Sequence, residues 1–182
     1  MEKALREAKV NTSWIEPDER HERRVKRAIG RLYDEGFPAG FELFAEQVAE
    51  AGREASLGQT LLKLTVPGVP DLYQGDELET LSLVDPDNRR PVDWELRRRL
   101  LSSEEPSKLL LIRRTLALRA RRPADFAGMY EPIEAGPETC AFRRGDGVVV
   151  DVPLRRGARP RPESEGWTNL LPEFPLGLYV RA

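Results

Sequence analysis

Apolar residues recur along the first 65 positions at helical spacing. Residues 2–9 favour a short helix, interrupted by Thr12, Ser13 and Trp14. Pro17 and Asp18 then open a second, with acidic residues in its first turn. In that helix Val25, Ala28, Ile29, Leu32 and Tyr33 fall at i, i+3, i+4, i+7 and i+8, one apolar stripe. Gly36 stands where a C′ glycine ends a helix. Pro38 suits the start of a third, where Phe41, Phe44, Ala45, Val48 and Ala49 repeat the spacing. The helix continues through "REASLGQTLLKLT" with a wider apolar face (Ala55, Leu57, Gly58, Leu61, Leu62, Leu64), which predicts burial on most sides. Pro67 and Gly68 stop it.

The period then changes. Val69 to Tyr73 is short and apolar, the pattern of a buried parallel strand. Residues 74–104 read as loop-rich, with turn residues at Asp85-Pro86-Asp87-Asn88. "PSKLLLIRRTLALRARR" predicts a helix from about Pro106 to Arg121, closed by Pro123, its arginine stems lying over core. Beyond Pro123 come short β-type runs, "GMYEPIEAG", "ETCAFRRG", "GVVVDVPL" and "LGLYVRA", separated by glycine, proline and a basic, proline-rich stretch. They predict a small antiparallel sheet following a helical region. The chain has no internal repeat.

Composition narrows the class. The chain has 182 residues, 40% hydrophobic and 33% charged, with net charge −2. A chain of this length buries roughly 70% of its unfolded surface without needing staples. Its charge gives no general attraction to nucleic acid or anionic membrane. The single cysteine, Cys140, leaves no internal disulfide and fits a reducing compartment. No apolar run approaches the ~20 residues that span a bilayer, and the N-terminus lacks a secretory signal core. His21 is the only histidine. It reads as a solvated surface residue, which argues against a histidine-based triad or a multi-histidine metal site.

The polar density lies in "VPDLYQGDE" and "VDPDNRRPVDW". Asp85, Asp87 and Asp93 suggest calcium, but Arg89 and Arg90 occupy the fifth and sixth positions of an EF-hand count, where an oxygen ligand and a glycine are needed. Asp85 and Asp87 could pair with those arginines instead. Glu77 and Asp87 could form a carboxylate pair for glycoside hydrolysis, although the sequence does not fix their separation. A phosphate loop is excluded because Gly-Lys-Ser/Thr is missing. A short apolar strand with a polar end does fit the rim of a (β/α)8 barrel.

"GVPDLYQGDE" resembles the eighth-strand motif of the α-amylase superfamily. Four ordered blocks, "KALREAKVNTSWIEP", "QTLLKLTVPGVPDLYQGDEL", "LSLVDPDNRRPVDW" and "LLLIRRTLALRARRPADF", together resemble the maltooligosyl trehalose synthase family over most of residues 2–126. "CAFRRGDGVVVDVP" and "GWTNLL" extend the similarity into a shortened tail. The resemblance implies an α+β chain: residues 1–104 as the last part of a (β/α)8 barrel, 105–126 as a connecting helix and 127–182 as a small antiparallel β-domain. It also implies a cytoplasmic isomerase of trehalose biosynthesis, which converts the reducing-end α-1,4 link of a maltooligosaccharide to α,α-1,1 by retaining-type transglucosylation.

In that family the catalytic carboxylates follow the fourth, fifth and seventh strands, before the first matched block. The chain is therefore expected to be a C-terminal piece, inactive alone. No catalytic residue, metal or cofactor is implied. The expected substrate contacts are Tyr73, Asp85, Asp87, Asn88 and Arg89: Asn88 and Arg89 as donors to sugar hydroxyls, Asp85 and Asp87 as acceptors, and Tyr73 as an apolar wall. For Tyr73 and Trp94, core packing is the plainer alternative. Maltooligosaccharide is the expected partner, with no nucleic acid and no membrane. A strand without neighbours is expected to melt into loop or to drive self-association. Two other readings stand beside these: another α-amylase-superfamily hydrolase or transferase, or a non-catalytic carbohydrate-binding or interaction module. Against the module, the tail's aromatics, Tyr130, Phe142, Trp167, Phe174 and Tyr179, are widely spaced in sequence.

Overall fold

Side-chain caps set several helix starts. The computed structural model describes residues 1–34, 37–82, 89–162 and 164–181. Helix α1 (Glu2–Ala8) ends at Lys9, whose φ of 54° is left-handed. Helix α2 (Glu19–Asp34) begins where the Asp18 carboxylate accepts the His21 N–H at 2.9 Å. Helix α3 runs over Phe37–Thr65. Helix α4 (Trp94–Leu101) is capped by Asp93, which accepts the Leu96 N–H. Helix α5 (Lys108–Arg121) is capped by Ser107, which accepts from Leu110 at 3.2 Å. The five-residue α6 (Pro123–Ala127) has proline in its first turn, where the missing N–H costs nothing.

Two compact units result. One comprises residues 1–50 and 80–91, the other 51–79 and 92–182. In the first, the predicted stripe of α2 is largely open: Leu32 and Tyr33 are exposed, as are Phe41, Phe44 and Val48 on α3. His21 is partly exposed.

The second unit is built on a sheet of β1 (Tyr130–Ile133), β2 (Thr139–Arg144), β3 (Val148–Pro153), β4 (Trp167–Asn169) and β5 (Gly177–Arg181). Its order is β1-β2-β3-β5-β4, and every pair is antiparallel. Strict alternation along β3 sends Val148, Val150 and Val152 to the core face. There they join Phe142 and Leu178 of the sheet, Leu110, Leu111 and Leu118 of α5, and Leu61 and Leu64 of α3. Each fully buried Leu or Val contributes about 1.5–3 kcal/mol relative to exposure. Gly58 makes the close approach of α3 feasible: a Cβ there would stand 3.0 Å from Val152 Cγ1. Arg119 of α5 donates to the carbonyls of Leu64 (2.8 Å) and Gly68 (3.0 Å), satisfying acceptors at the C-terminal end of α3.

The α+β expectation is met, with three differences. Val69–Tyr73 forms no strand, and Val69 is 96% exposed. A parallel strand needs neighbours on its edges, whereas every strand among the described residues belongs to the antiparallel sheet. Pro70 also removes one ladder donor. The segment therefore takes the loop outcome of the two expected for an unpartnered strand. Second, α4 forms within the stretch read as loop-rich, because Asp93 supplies a cap immediately before "WELRRRL". Third, the short β4 was not anticipated. It is fixed by Asn169, whose carbonyl oxygen accepts from Leu171 and Leu178 (3.0 Å each) and whose amide donates to Leu176 O (3.2 Å).

Candidate functional site

The segment after α3 ends in a tight turn. The Asp76 N–H donates to Tyr73 O at 3.0 Å, and Gly75 adopts φ of 98°, where a side chain would be strained. Glu77 folds back so that its Oε2 accepts from the Gly75 N–H at 3.0 Å and from Arg97 Nε at 2.9 Å. Arg97 reaches from α4 and is satisfied on three sides. Its Nη2 donates to Gly75 O at 2.6 Å, and its Nη1 to Asp93 O at 3.1 Å. One guanidinium thus ties the turn to the start of α4, using a planar fork that an ammonium cannot reproduce.

This arrangement assigns Glu77 a role. Burial works to raise its pKa, but hydrogen bonds from Arg97 and from the backbone outweigh it, and the carboxyl is held below its ordinary range. A carboxylate kept ionised and committed to Arg97 is unsuited to deliver a proton as a general acid. It is suited to fixing a loop. Nearby, burial pushes Lys108 below the usual lysine range, while Asp76, Glu77 and Glu79 draw it upward.

Of the expected substrate contacts, Tyr73 stands at the head of the turn with 47% of its surface exposed, so it is not a core residue. Trp94, for which core packing was the plainer reading, is likewise 47% exposed, because it starts α4 on the solvent side. Arg89 is exposed and belongs to the first unit, whereas Tyr73 belongs to the second. Asp85, Asp87 and Asn88 lie outside the described residues. The structure therefore brings Gly75, Glu77 and Arg97 together, with Tyr73 at the head of the same turn. Arg97 was missed because its partners lie 20 and 22 residues away. The legible hint was Asp93 as a helix cap. Among the described residues, no group of three or more His, Cys, Asp or Glu could hold a metal ion.

A second polar cluster lies within the first unit. Glu22, 4% exposed, receives both Arg6 Nε (2.8 Å) and Nη2 (2.9 Å), together with the Thr12 hydroxyl (2.7 Å). Thr12 Oγ1 in turn accepts the Asp18 N–H at 2.9 Å. Hydrogen bonds from Arg6, then from Thr12, lower the Glu22 pKa to about 2. Arg6 also lies 5.0 Å over the Trp14 ring, and the Trp14 indole donates to Glu7. The matched block "KALREAKVNTSWIEP" supplies Arg6, Glu7, Thr12 and Trp14 to this local lock.

No family model matches the chain. Its sequence is 38% identical, over 186 aligned positions covering all of it, to proteins from two strains of Mycobacterium tuberculosis that are named by inference as maltooligosyl trehalose synthase. The chain spans 24% of the length of these relatives. Its backbone matches a crystal structure of maltooligosyl trehalose synthase with a TM-score of 0.81 and 28% identity, over 98% of this chain and 29% of that one. A Sulfolobus tokodaii structure, described as a hypothetical maltooligosyl trehalose synthase, gives a TM-score of 0.83 and 29% identity, over 99% of this chain and 28% of that one.

Sequence and backbone therefore agree on the class: an α+β segment homologous to part of a much longer protein. Over the part it spans, the chain is similar to proteins named maltooligosyl trehalose synthase.

Proposed function

We propose that this chain serves as the C-terminal part of a maltooligosyl trehalose synthase, an α-amylase-superfamily isomerase that turns the reducing-end α-1,4 link of a maltooligosaccharide into an α,α-1,1 link. The observation that carries this is the coincidence of 38% identity along the whole chain with backbone matches to two structures bearing that name. In this reading the chain contributes positioning rather than bond chemistry. The turn at Tyr73–Glu77 holds part of the sugar-facing rim. Tyr73 offers a ring face there; in the other unit, Asp85, Asp87, Asn88 and Arg89 are assigned, separately, as acceptors and donors to hydroxyls. The nucleophile and the acid/base group would come from the part of the enzyme that this chain does not match. A cytoplasmic setting suits the reading: Cys140 is a free thiol, and among the described residues no helix is long and apolar enough to cross a membrane.

The test is product analysis after the purified chain is incubated with maltopentaose at high concentration. Neither a trehalose-ended, non-reducing product nor hydrolysis is expected. Either one, from contaminant-free protein, would show that this chain carries the chemistry itself.

A further inference from the structure

The outer face of the sheet, opposite the core, carries a cavity of about 250 Å³. Its floor is set by register. Arg143, Val149 and Tyr179 form one row across β2, β3 and β5. Ala141, Asp151 and Gly177 form the next row on the same face. The loop after β3 crosses above and is tied down twice: Arg161 Nε pairs with Asp151 Oδ2 at 2.6 Å, and the Tyr179 hydroxyl donates to the Arg161 carbonyl. Trp167 of β4 supplies a further wall. Two of the tail's aromatics, Trp167 and Tyr179, thus meet in one cavity, while Phe142 and Phe174 go to the core.

Two polar atoms on this face lack a partner. Asp151 is fully buried, and its Oδ1 accepts no hydrogen bond among the described residues; Arg143 Nε is buried and donates none. Of the two, Arg143 lines the cavity; leaving its N–H unmet is costly, and a ligand hydroxyl can accept from it. The charges around the cavity cancel, since Arg161 is paired with Asp151, and Arg143 with Glu131 at 3.3 Å. A neutral lining does not select an anion. Planar polar groups beside aromatic faces suit a neutral polyhydroxy ring, with its hydroxyls at the edge and its C–H bonds on a face. The volume limits occupancy to about one ring, below the ~300 Å³ at which drug-sized sites begin.

We propose that this cavity is a binding site for a glucosyl unit of an α-glucan, separate from the rim at Tyr73. The choice of glucose among neutral sugars rests on the proposed function; the site itself does not. The experiment uses the whole chain with Trp14→Phe and Trp94→Phe, which leaves Trp167 as its only indole. Maltopentaose and, separately, inorganic phosphate are titrated while Trp167 emission is followed. A saturable change with maltopentaose and none with phosphate is expected. Arg143→Met, at a partly exposed position, should weaken the response at least tenfold with an unchanged thermal transition, and calorimetry on Trp167→Ala should show the same loss. Three results would overturn the site: no saturable response to the sugar, saturation by phosphate instead, or unchanged sugar affinity in the Arg143→Met variant. None of these readouts involves turnover, so failure here leaves the synthase reading intact, and failure of that reading leaves the binding result standing.

Discussion

Arg97 and Glu77, twenty residues apart, meet with Nε 2.9 Å from Oε2, and both are mostly buried. Removing the guanidinium would take the charged partner from the carboxylate, which keeps the Gly75 N–H, and one donor from the Gly75 carbonyl, which also accepts the Leu78 N–H at 3.4 Å. Arg97→Ala is expected to cost about 2–3 kcal/mol and to speed amide exchange at Gly75 and Leu78. Arg97→Lys should recover little, because one ammonium cannot serve Glu77, Gly75 and Asp93 at once. Equal stability of the parent and both variants would mean that the turn stands without the clamp.

Glu22 predicts an acid sensitivity with a definite sign. Its carboxyl is held at about 2 in the folded chain against an ordinary value of 4.5. The stabilisation is therefore complete above about pH 4.5 and is lost as pH falls toward 2. Glu22→Gln should be less stable than the parent at neutral pH, and the gap between them should narrow across that window. Thermal melts from pH 7 down to 2.5 would show it; a constant gap would remove Glu22 as the source.

Arg89 is exposed, so truncating it should alter folding by no more than about 0.5 kcal/mol. In a full-length synthase carrying this segment, Arg89→Ala is nevertheless expected to lower kcat/KM about tenfold, the value of one charge-assisted hydrogen bond. Normal kcat/KM in that variant would exclude Arg89 from the rim.

The helical pattern was legible because 3.6-residue periodicity and caps act locally: Ser107 and Asp18 both start helices where the sequence places them. The β-runs of the tail were legible for the same reason. What could not be read were features decided at long range. Strand 69–73 depends on neighbours that its own residues do not encode. Arg97 is one of several arginines in "WELRRRL", and only its i+4 spacing from Asp93 marks it out. The openness of the α2 stripe is likewise a matter of partners, since periodicity identifies an apolar face without saying what covers it. Around Gly75 the sequence marked a polar turn, and the fold supplied the clamp, Arg97 on Glu77 and Gly75, that fixes it.

Those open faces carry a prediction of their own. Leu43 is 72% exposed, Phe44 58% and Val69 96%, more apolar surface than scattered exposure explains. The isolated chain should self-associate, with weight-average mass rising over a hundredfold concentration range in light scattering. The amides of Val69, Asp71, Leu72 and Tyr73 should exchange within seconds at low concentration. A strict monomer with those amides protected would mean that the segment is paired after all.

In the proposed function, this chain would complete an active site without supplying its chemistry. The direct measurement is reconstitution: co-express the chain with the remaining length of the Mycobacterium tuberculosis relative, omitting the segment that the chain matches, and assay maltopentaose for loss of reducing ends. Activity in the pair and in neither part alone is the predicted result. Activity of the relative's remaining part alone, unchanged when this chain is added, would contradict the account.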